Sequence, residues 1–169
     1  MKHESENLID KLLSPKIEIK ITNDFLKKNG ELPKYQSELA AGIDLYACVE
    51  ETIEIKPGAI PALISTGIAI HMNKSNMMAI ILPRSGLGHK KGLILGNTAG
   101  VIDADYSGTI FISAWNRNHK DSNMSIFINP GERIAQMIFL PIIKPIFDLV
   151  ENFSENNPRG NSGFGSTGK

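Results

Sequence analysis

The sequence predicts an all-β sandwich or barrel. Short apolar runs of strand length recur along the chain, and Gly, Pro or Asn separates them, often about 8–12 residues apart. Helical periodicity is nearly absent. The 169 residues suit one domain. A content of 41% hydrophobic and 21% charged residues is ordinary for a globular protein.

The elements follow in order. Residues 1–15 are expected to form an N-terminal arm, in which 6–13 suit one or two helical turns before Pro15 stops them. Residues 16–22, KIEIKIT, alternate strictly, with Ile17, Ile19 and Ile21 on one face. A short helical turn suits 24–29. Residues 40–47, AAGIDLYA, are strand-like and carry a lone carboxylate, Asp44. Buried without a partner it would be costly, so a strand-end cap or an ion pair is its plain account. Residues 52–56 alternate and stop at the Pro57-Gly58 turn. Residues 62–72 are rich in β-branched side chains, and 77–82 form a continuous apolar run. Strands are also expected at 109–115, 125–128, 133–140 and 146–150, with Pro130-Gly131 as a tight turn. In RIAQMIF (133–139), Arg133 and Gln136 interrupt the apolar run, as suits an edge strand with polar outer positions.

Charge and composition exclude several classes of function. Eighteen basic residues balance eighteen acidic ones, which argues against bulk electrostatic binding to nucleic acid or to an anionic membrane. No apolar run is long enough to span a bilayer, and MKHESENLID lacks the apolar core of a signal peptide, so the expected location is the cytoplasm. The one cysteine, Cys48, forms no disulfide within the chain. His3, His71, His89 and His119 are dispersed, without the spacing of a metal site, and no GxSxG elbow suggests covalent catalysis.

Three segments carry chemistry. PRSGLGHKK (83–91) follows an apolar strand and combines the Arg84 guanidinium, the Ser85 hydroxyl and two glycines, Gly86 and Gly88. Free backbone N–H groups beside a bidentate cation are the chemistry of a phosphate site, whereas the spacing of a Walker loop is absent. The plain alternative is a Gly-rich surface turn. GNTAGVIDADYSG (96–108) suggests a β-hairpin in which alternation puts Asp103 and Asp105 on one side, within one hairpin's reach of the phosphate loop. Aspartates that merely favour the following turn are the simpler account. PRGNSGFGSTGK (158–169) is too poor in apolar residues to order itself. Its lone Arg159 and Phe164 nevertheless suit a clamp over a flat, anionic ligand.

Together AGIDLYA, PRSGLGHKKGL, GNTAGVIDADYSG, RIAQMIF and RGNSGFGSTGK resemble, in order and spacing, the five motifs of the trimeric dUTPase family (deoxyuridine triphosphate nucleotidohydrolases). The resemblance runs from Lys16 to the C-terminus. It implies a β jelly-roll domain over 16–157, a mobile nucleotide-closing tail over 158–169, and a homotrimer with sites between subunits. The implied reaction is hydrolysis of dUTP to dUMP and pyrophosphate, with Mg²⁺ carried in on the triphosphate. This keeps uracil out of DNA and supplies dUMP for dTTP synthesis.

The resemblance also implies residue roles. Asp103 would be the general base for water attacking the α-phosphorus. Tyr106 would pack on the deoxyribose and exclude a 2′-hydroxyl. Asn97, with the backbone around Val101 and Ile102, would read uracil, in a pocket too tight for thymine's methyl. Arg84, Ser85, Gly86 and Gln136 match phosphate-binding positions. Asp44 would touch water on Mg²⁺ without ligating the metal. In the tail, Arg159 would pair with the γ-phosphate and Phe164 would stack on uracil, while Gly165, Ser166 and Thr167 would contact phosphates. The tail departs from the family in one place, where Ser162 stands for a glycine.

Two alternatives share the fold. A dCTP deaminase needs a glutamate base in the strand after the third motif, where this sequence has Ser113 and no carboxylate in 111–116. A non-catalytic binding protein would be expected to lose Asp103 or Arg84, and both are present.

Overall fold

The structure, a computed structural model, describes residues 14–29, 32–73 and 76–154. Most of the expected N-terminal arm and the whole 158–169 tail lie outside these residues. The expected β sandwich is observed. Strands β1 (Glu18–Ile21), β4 (Ala62–His71), β8 (Thr109–Asn116) and β6 (Leu93–Leu95) form one sheet, in the order β1-β4-β8-β6. Strands β2 (Ile43–Tyr46), β10 (Arg133–Pro141), β5 (Met77–Pro83) and β7 (Gly100–Ile102) form the second, in the order β2-β10-β5-β7. A two-stranded ribbon pairs β3 (Ile53–Ile55) with β9 (Ile126–Ile128). Helix α1 spans Asp24–Asn29, as expected, and α2 spans Ser85–Lys90.

Every strand pair is antiparallel, yet no two consecutive strands pair with each other. Each connection carries the chain from one sheet to another, which is how a jelly roll closes around its core. Strand β8 shows why the sequence accepts this. Ile110, Ile112, Ala114 and Asn116 are buried, while Phe111 and Trp115 face out. The core between the sheets also takes Leu45, Ile64, Ile68, Ile81, Ile134 and Met137. Asn116 is a fully buried polar residue there and is fully satisfied. Its Nδ2 donates to the carbonyls of Ile55 (2.9 Å) and Met124 (2.8 Å), and its Oδ1 accepts from the Asn118 N–H (3.0 Å). Those bonds tie the β3–β9 ribbon to the sandwich.

Both Pro-Gly pairs make the turns expected of them. Gly58 and Gly131 have φ of 74° and 72°, and the turns close through Ala59 N–H to Lys56 O (3.2 Å) and Glu132 N–H to Asn129 O (3.0 Å).

Four expectations change. The run at 146–150 forms no strand, because no strand among the described residues lies beside it, and Ile146, Phe147 and Leu149 are almost fully exposed. Strand β10 is not an edge strand, since it lies between β2 and β5. The segment 83–91 is not an open turn but helix α2, closed by Gly88 N–H to Arg84 O (2.9 Å) and Lys91 N–H to Leu87 O (3.0 Å). Finally, 96–108 is not a hairpin, for β6 pairs with β8 and β7 pairs with β5. Residues 96–99 form a turn between sheets instead, with Thr98 at φ 66°.

Strand β4 bulges where Ser65 pairs with Phe111 and Ala69 with Thr109. Gly67 sits in that bulge at φ 70°, and a Cβ there would lie 2.6 Å from Cys48 Sγ. Cys48 itself is buried, which pushes its thiol pKa up. Gly67→Ala is therefore expected to destabilise on two counts. Left-handed backbone costs about 1–2 kcal/mol, and overpacking adds about 1–3 kcal/mol. Denaturant unfolding checks this, and a loss under about 0.5 kcal/mol would mean that the bulge rearranges freely.

Candidate active site

The end of β5, the start of α2 and the paired strands β2 and β10 meet at a cavity of about 470 Å³. Its lining includes Asp44, Arg84, Ser85, Gly86, Arg133 and Gln136. Asp44 lies directly across from Gln136 in the β2–β10 ladder, and Gln136 lies across from Leu82 in β5. The ladder thus brings Asp44, Arg84 and Gln136 together although they are 40 to 92 positions apart in sequence. Only register can do that, because a one-residue slip would turn each side chain to the opposite face.

At the centre is the Asp44 carboxylate, 8% exposed as a residue and bridged by two arginines. Arg84 Nε approaches Oδ1 at 2.9 Å, and Arg133 Nη1 donates to Oδ2 at 3.1 Å. Arg84 Nη1 also donates to the Arg133 carbonyl at 3.3 Å. The Gln136 amide donates to Pro83 O at 3.0 Å, which steadies the strand end just before Arg84. Asp44 is therefore in an ion pair, one of the plain accounts that its lone charge suggested. Arg133 is its unforeseen second partner. The available signal was the arginine breaking the apolar run of RIAQMIF.

Ser85 and Gly86 are exposed at the first turn of α2, where the leading N–H groups have no partner within the helix. Gly86 has an ordinary φ, and a Cβ there would meet nothing within 4 Å. The fold itself does not require glycine at this place. Lys90 and Lys91 stand at the rim. Lys91 pairs with Glu132 at 3.5 Å.

Asp103 lies elsewhere. It is exposed in a separate cavity of about 660 Å³, with Asp105, His71 and Lys144. The strand ends at Ile102, but alternation continues in exposure, with Val101, Asp103 and Asp105 outward and Ile102 and Ala104 inward. Ile102 pairs with Ala79, so Asp103 follows on opposite the start of β5 at Met78, while Arg84 follows the strand's end. Extended chain of that length spans roughly 20 Å. Asp103 is thus not within one hairpin's reach of the phosphate loop in the same chain, as the intended pairing of β6 with β7 would have made it.

Tyr106 projects from the turn after Asp103. Its hydroxyl donates to Thr109 O at 2.9 Å, and its ring lies so close to Gly108 that a Cβ there would fall within 2.7 Å of the phenol oxygen. One end of the phenol is fixed while the ring stays 43% exposed. Asn97 is exposed in the turn between the sheets, and its Nδ2 would lie 3.7 Å from a Cβ at Gly100. Ser113 lies in β8, whose backbone carbonyl accepts from Gly96 N–H at 2.8 Å, and β8 holds no carboxylate. Arg159, Phe164, Gly165, Ser166 and Thr167 lie outside the described residues. Among the described residues, no three His, Cys, Asp or Glu side chains are grouped to hold a metal ion, and no helix is long and apolar enough to cross a membrane.

The family model for dUTPase matches residues 28–168. The deoxyuridine 5'-triphosphate nucleotidohydrolase of Buchnera aphidicola subsp. Acyrthosiphon pisum (strain Tuc7) is 50% identical over 152 residues, covering 90% of this chain and 95% of that protein. The protein of the same name from Cronobacter sakazakii (strain ATCC BAA-894) is 47% identical over 154 residues, covering 91% and 97%. Among solved structures, the dUTPase of Staphylococcus bacteriophage 80alpha with dUPNHPP superposes with a TM-score of 0.80 at 27% identity, covering 92% of this chain and all of that one. Motif order, strand topology and these likenesses agree: this chain belongs to the dUTPase family.

Proposed function

We propose that this protein hydrolyses dUTP to dUMP and pyrophosphate, with the triphosphate seated in the cavity at Arg84 and the attacking water held by Asp103 of another copy. The observation that carries this is the Asp44-bridged arginine pair beside the exposed first turn of α2 at Ser85 and Gly86. Two guanidiniums and one carboxylate leave one net positive charge, and the N–H groups of Ser85 and Gly86, at the exposed first turn of α2, add donors.

Mg²⁺ bound to the triphosphate would supply charge neutralisation there, with Asp44 touching its water. The donor set fits that role and not a metal cage. Asp44 Oδ2 already accepts from Arg133 and Oδ1 is ion-paired with Arg84, and a carboxylate offers about four lone-pair sites, so water on the metal can still be bound. Asp103 orients and deprotonates the water that attacks the α-phosphorus. Tyr106, anchored through Thr109, packs on the deoxyribose and leaves no room for a 2′-hydroxyl. Asn97 and the backbone at Val101 and Ile102 read the uracil edge. Gln136 steadies the phosphate side.

The same geometry supports a site shared between copies of the chain, which this reading takes to be a homotrimer. One chain keeps Asp103 and Arg84 in cavities with no lining residue in common, so a complete site takes each from a different subunit. Apolar side chains that need covering are at hand. Ile143, Ile146, Phe147 and Leu149 line the strandless segment, and Leu63, Phe111 and Trp115 are on the outer faces of β4 and β8.

Pyrophosphate release tests the reading. Turnover is expected with dUTP and Mg²⁺, and at least about a hundredfold less with UTP, dTTP or dCTP. Comparable UTP hydrolysis would remove the Tyr106 assignment, and ammonia release from dCTP would replace the reaction.

The tail supports a further expected result. Removing residues 158–169 takes away Arg159, Phe164 and the Gly165–Ser166–Thr167 contacts, so kcat falls sharply while light scattering still reports a trimer. A truncated protein with full activity would mean that the tail takes no part in closing the site.

A further inference from the structure

We infer that Arg133 is a positioning residue for the triphosphate, holding Arg84 in place through the Asp44 carboxylate; this rests on the proposed reading of that cavity. Arg84 has five N–H donors. Its Nε is engaged by Asp44 Oδ1, and one N–H of Nη1 by the Arg133 carbonyl. One N–H on Nη1 and both on Nη2 therefore remain for a ligand. Arg133 contributes twice to that arrangement. Its backbone takes one edge of the Arg84 fork, and its own Nη1 occupies Asp44 Oδ2.

Without the Arg133 guanidinium, Oδ2 of a nearly buried carboxylate loses its partner. The nearest cation able to restore it is Arg84 itself, because a carboxylate and a guanidinium prefer two parallel hydrogen bonds. Arg84 would then turn a donor from the cavity toward Asp44. At the same time the cluster would fall from one net positive charge to none. Both changes weaken phosphate binding without touching the nucleoside side of the site, since Asn97 and Tyr106 belong to other segments.

The bridge separates this role from direct phosphate contact. A positioning arginine acts only while Asp44 is charged, whereas a phosphate ligand acts regardless of Asp44. The experiment is a double-mutant cycle on the full-length protein with Arg133→Gln and Asp44→Asn. Inorganic tripolyphosphate binding is measured by calorimetry, and KM and kcat for dUTP by pyrophosphate release. Deoxyuridine affinity and Tm serve as controls.

Arg133→Gln alone is expected to weaken tripolyphosphate binding and raise KM about tenfold, the usual weight of a charge-assisted hydrogen bond. Deoxyuridine affinity and Tm should hold, and kcat should fall less than KM rises. In the Asp44→Asn background, Arg133→Gln should change tripolyphosphate binding by less than about twofold. Arg133→Lys, which keeps a charge on Oδ2, should recover most of the affinity. Additive losses in the double variant would make Arg133 a direct ligand and overturn the inference. So would a lower Tm with parallel loss of deoxyuridine binding, which would make it purely structural. Wild-type protein that binds tripolyphosphate but does not turn over dUTP would refute the proposed reaction alone. Wild-type protein that binds no tripolyphosphate would refute both.

Discussion

Asp103→Asn is expected to lower kcat by about 10²–10⁴-fold while dUTP affinity stays within a few-fold, the usual weight of a general base. The side chain of Asp103 has no hydrogen bond or ion pair among the described residues, and it is exposed on a cavity wall. Nothing in the fold leans on its charge, so an amide of the same shape leaves the fold intact. What it removes is the group that takes a proton from water. Single-turnover hydrolysis together with equilibrium binding of a non-hydrolysable analogue separates the outcomes. Near-normal turnover would assign the base elsewhere, with Asp105 in the same cavity the first candidate. Loss of binding with intact turnover per bound nucleotide would make Asp103 a binding residue.

Mixing two inactive proteins should restore activity. Arg84→Gln and Asp103→Asn chains, each nearly inactive alone, are unfolded together at equal amounts and refolded. If a site takes Arg84 from one subunit and Asp103 from its neighbour, random assembly leaves about a quarter of sites with both residues intact. Activity should therefore rise to about a quarter of wild type, against about 1% or less for either variant alone. The expectation comes from the β5–β7 register, which puts the two residues at opposite ends of one strand. A mixture that remains inactive would mean that both residues serve a site within one chain, and the separation of the two cavities would then have to close by a large rearrangement.

Much of this protein was legible before any coordinates. The strands at 62–72, 77–82, 109–115 and 133–140 were visible because alternation and β-branched runs are local consequences of a half-buried sheet. The Pro-Gly turns were visible because φ at those glycines is a local matter. Helix α2 is not legible because Ser-Gly-Leu-Gly is a poor helical sequence by propensity, and tertiary contact with β6 overrides it. The run at 146–150 was mistaken for a strand because its pattern records that apolar side chains want cover, not which chain supplies it.

The site divides in the same way. Arg84, Asp103 and Tyr106 stand out because each lies in a short segment whose chemistry is local: a guanidinium beside glycines, a carboxylate beside a turn, an aromatic beside a carboxylate. The role of Arg133 could not be read, because its partner Asp44 is 89 residues away and meets it only through the β2–β10 register. Nor could the distance between Asp103 and Arg84 be read. The sequence spacing suggested a hairpin, but β6 and β7 belong to different sheets, since each needs its own apolar face buried against a different neighbour. Local chemistry and periodicity are written in adjacent residues, so the amino-acid order alone carries them. Which strand lies beside which is a choice among many pairings of similar local energy, and the packing of one shared core makes it.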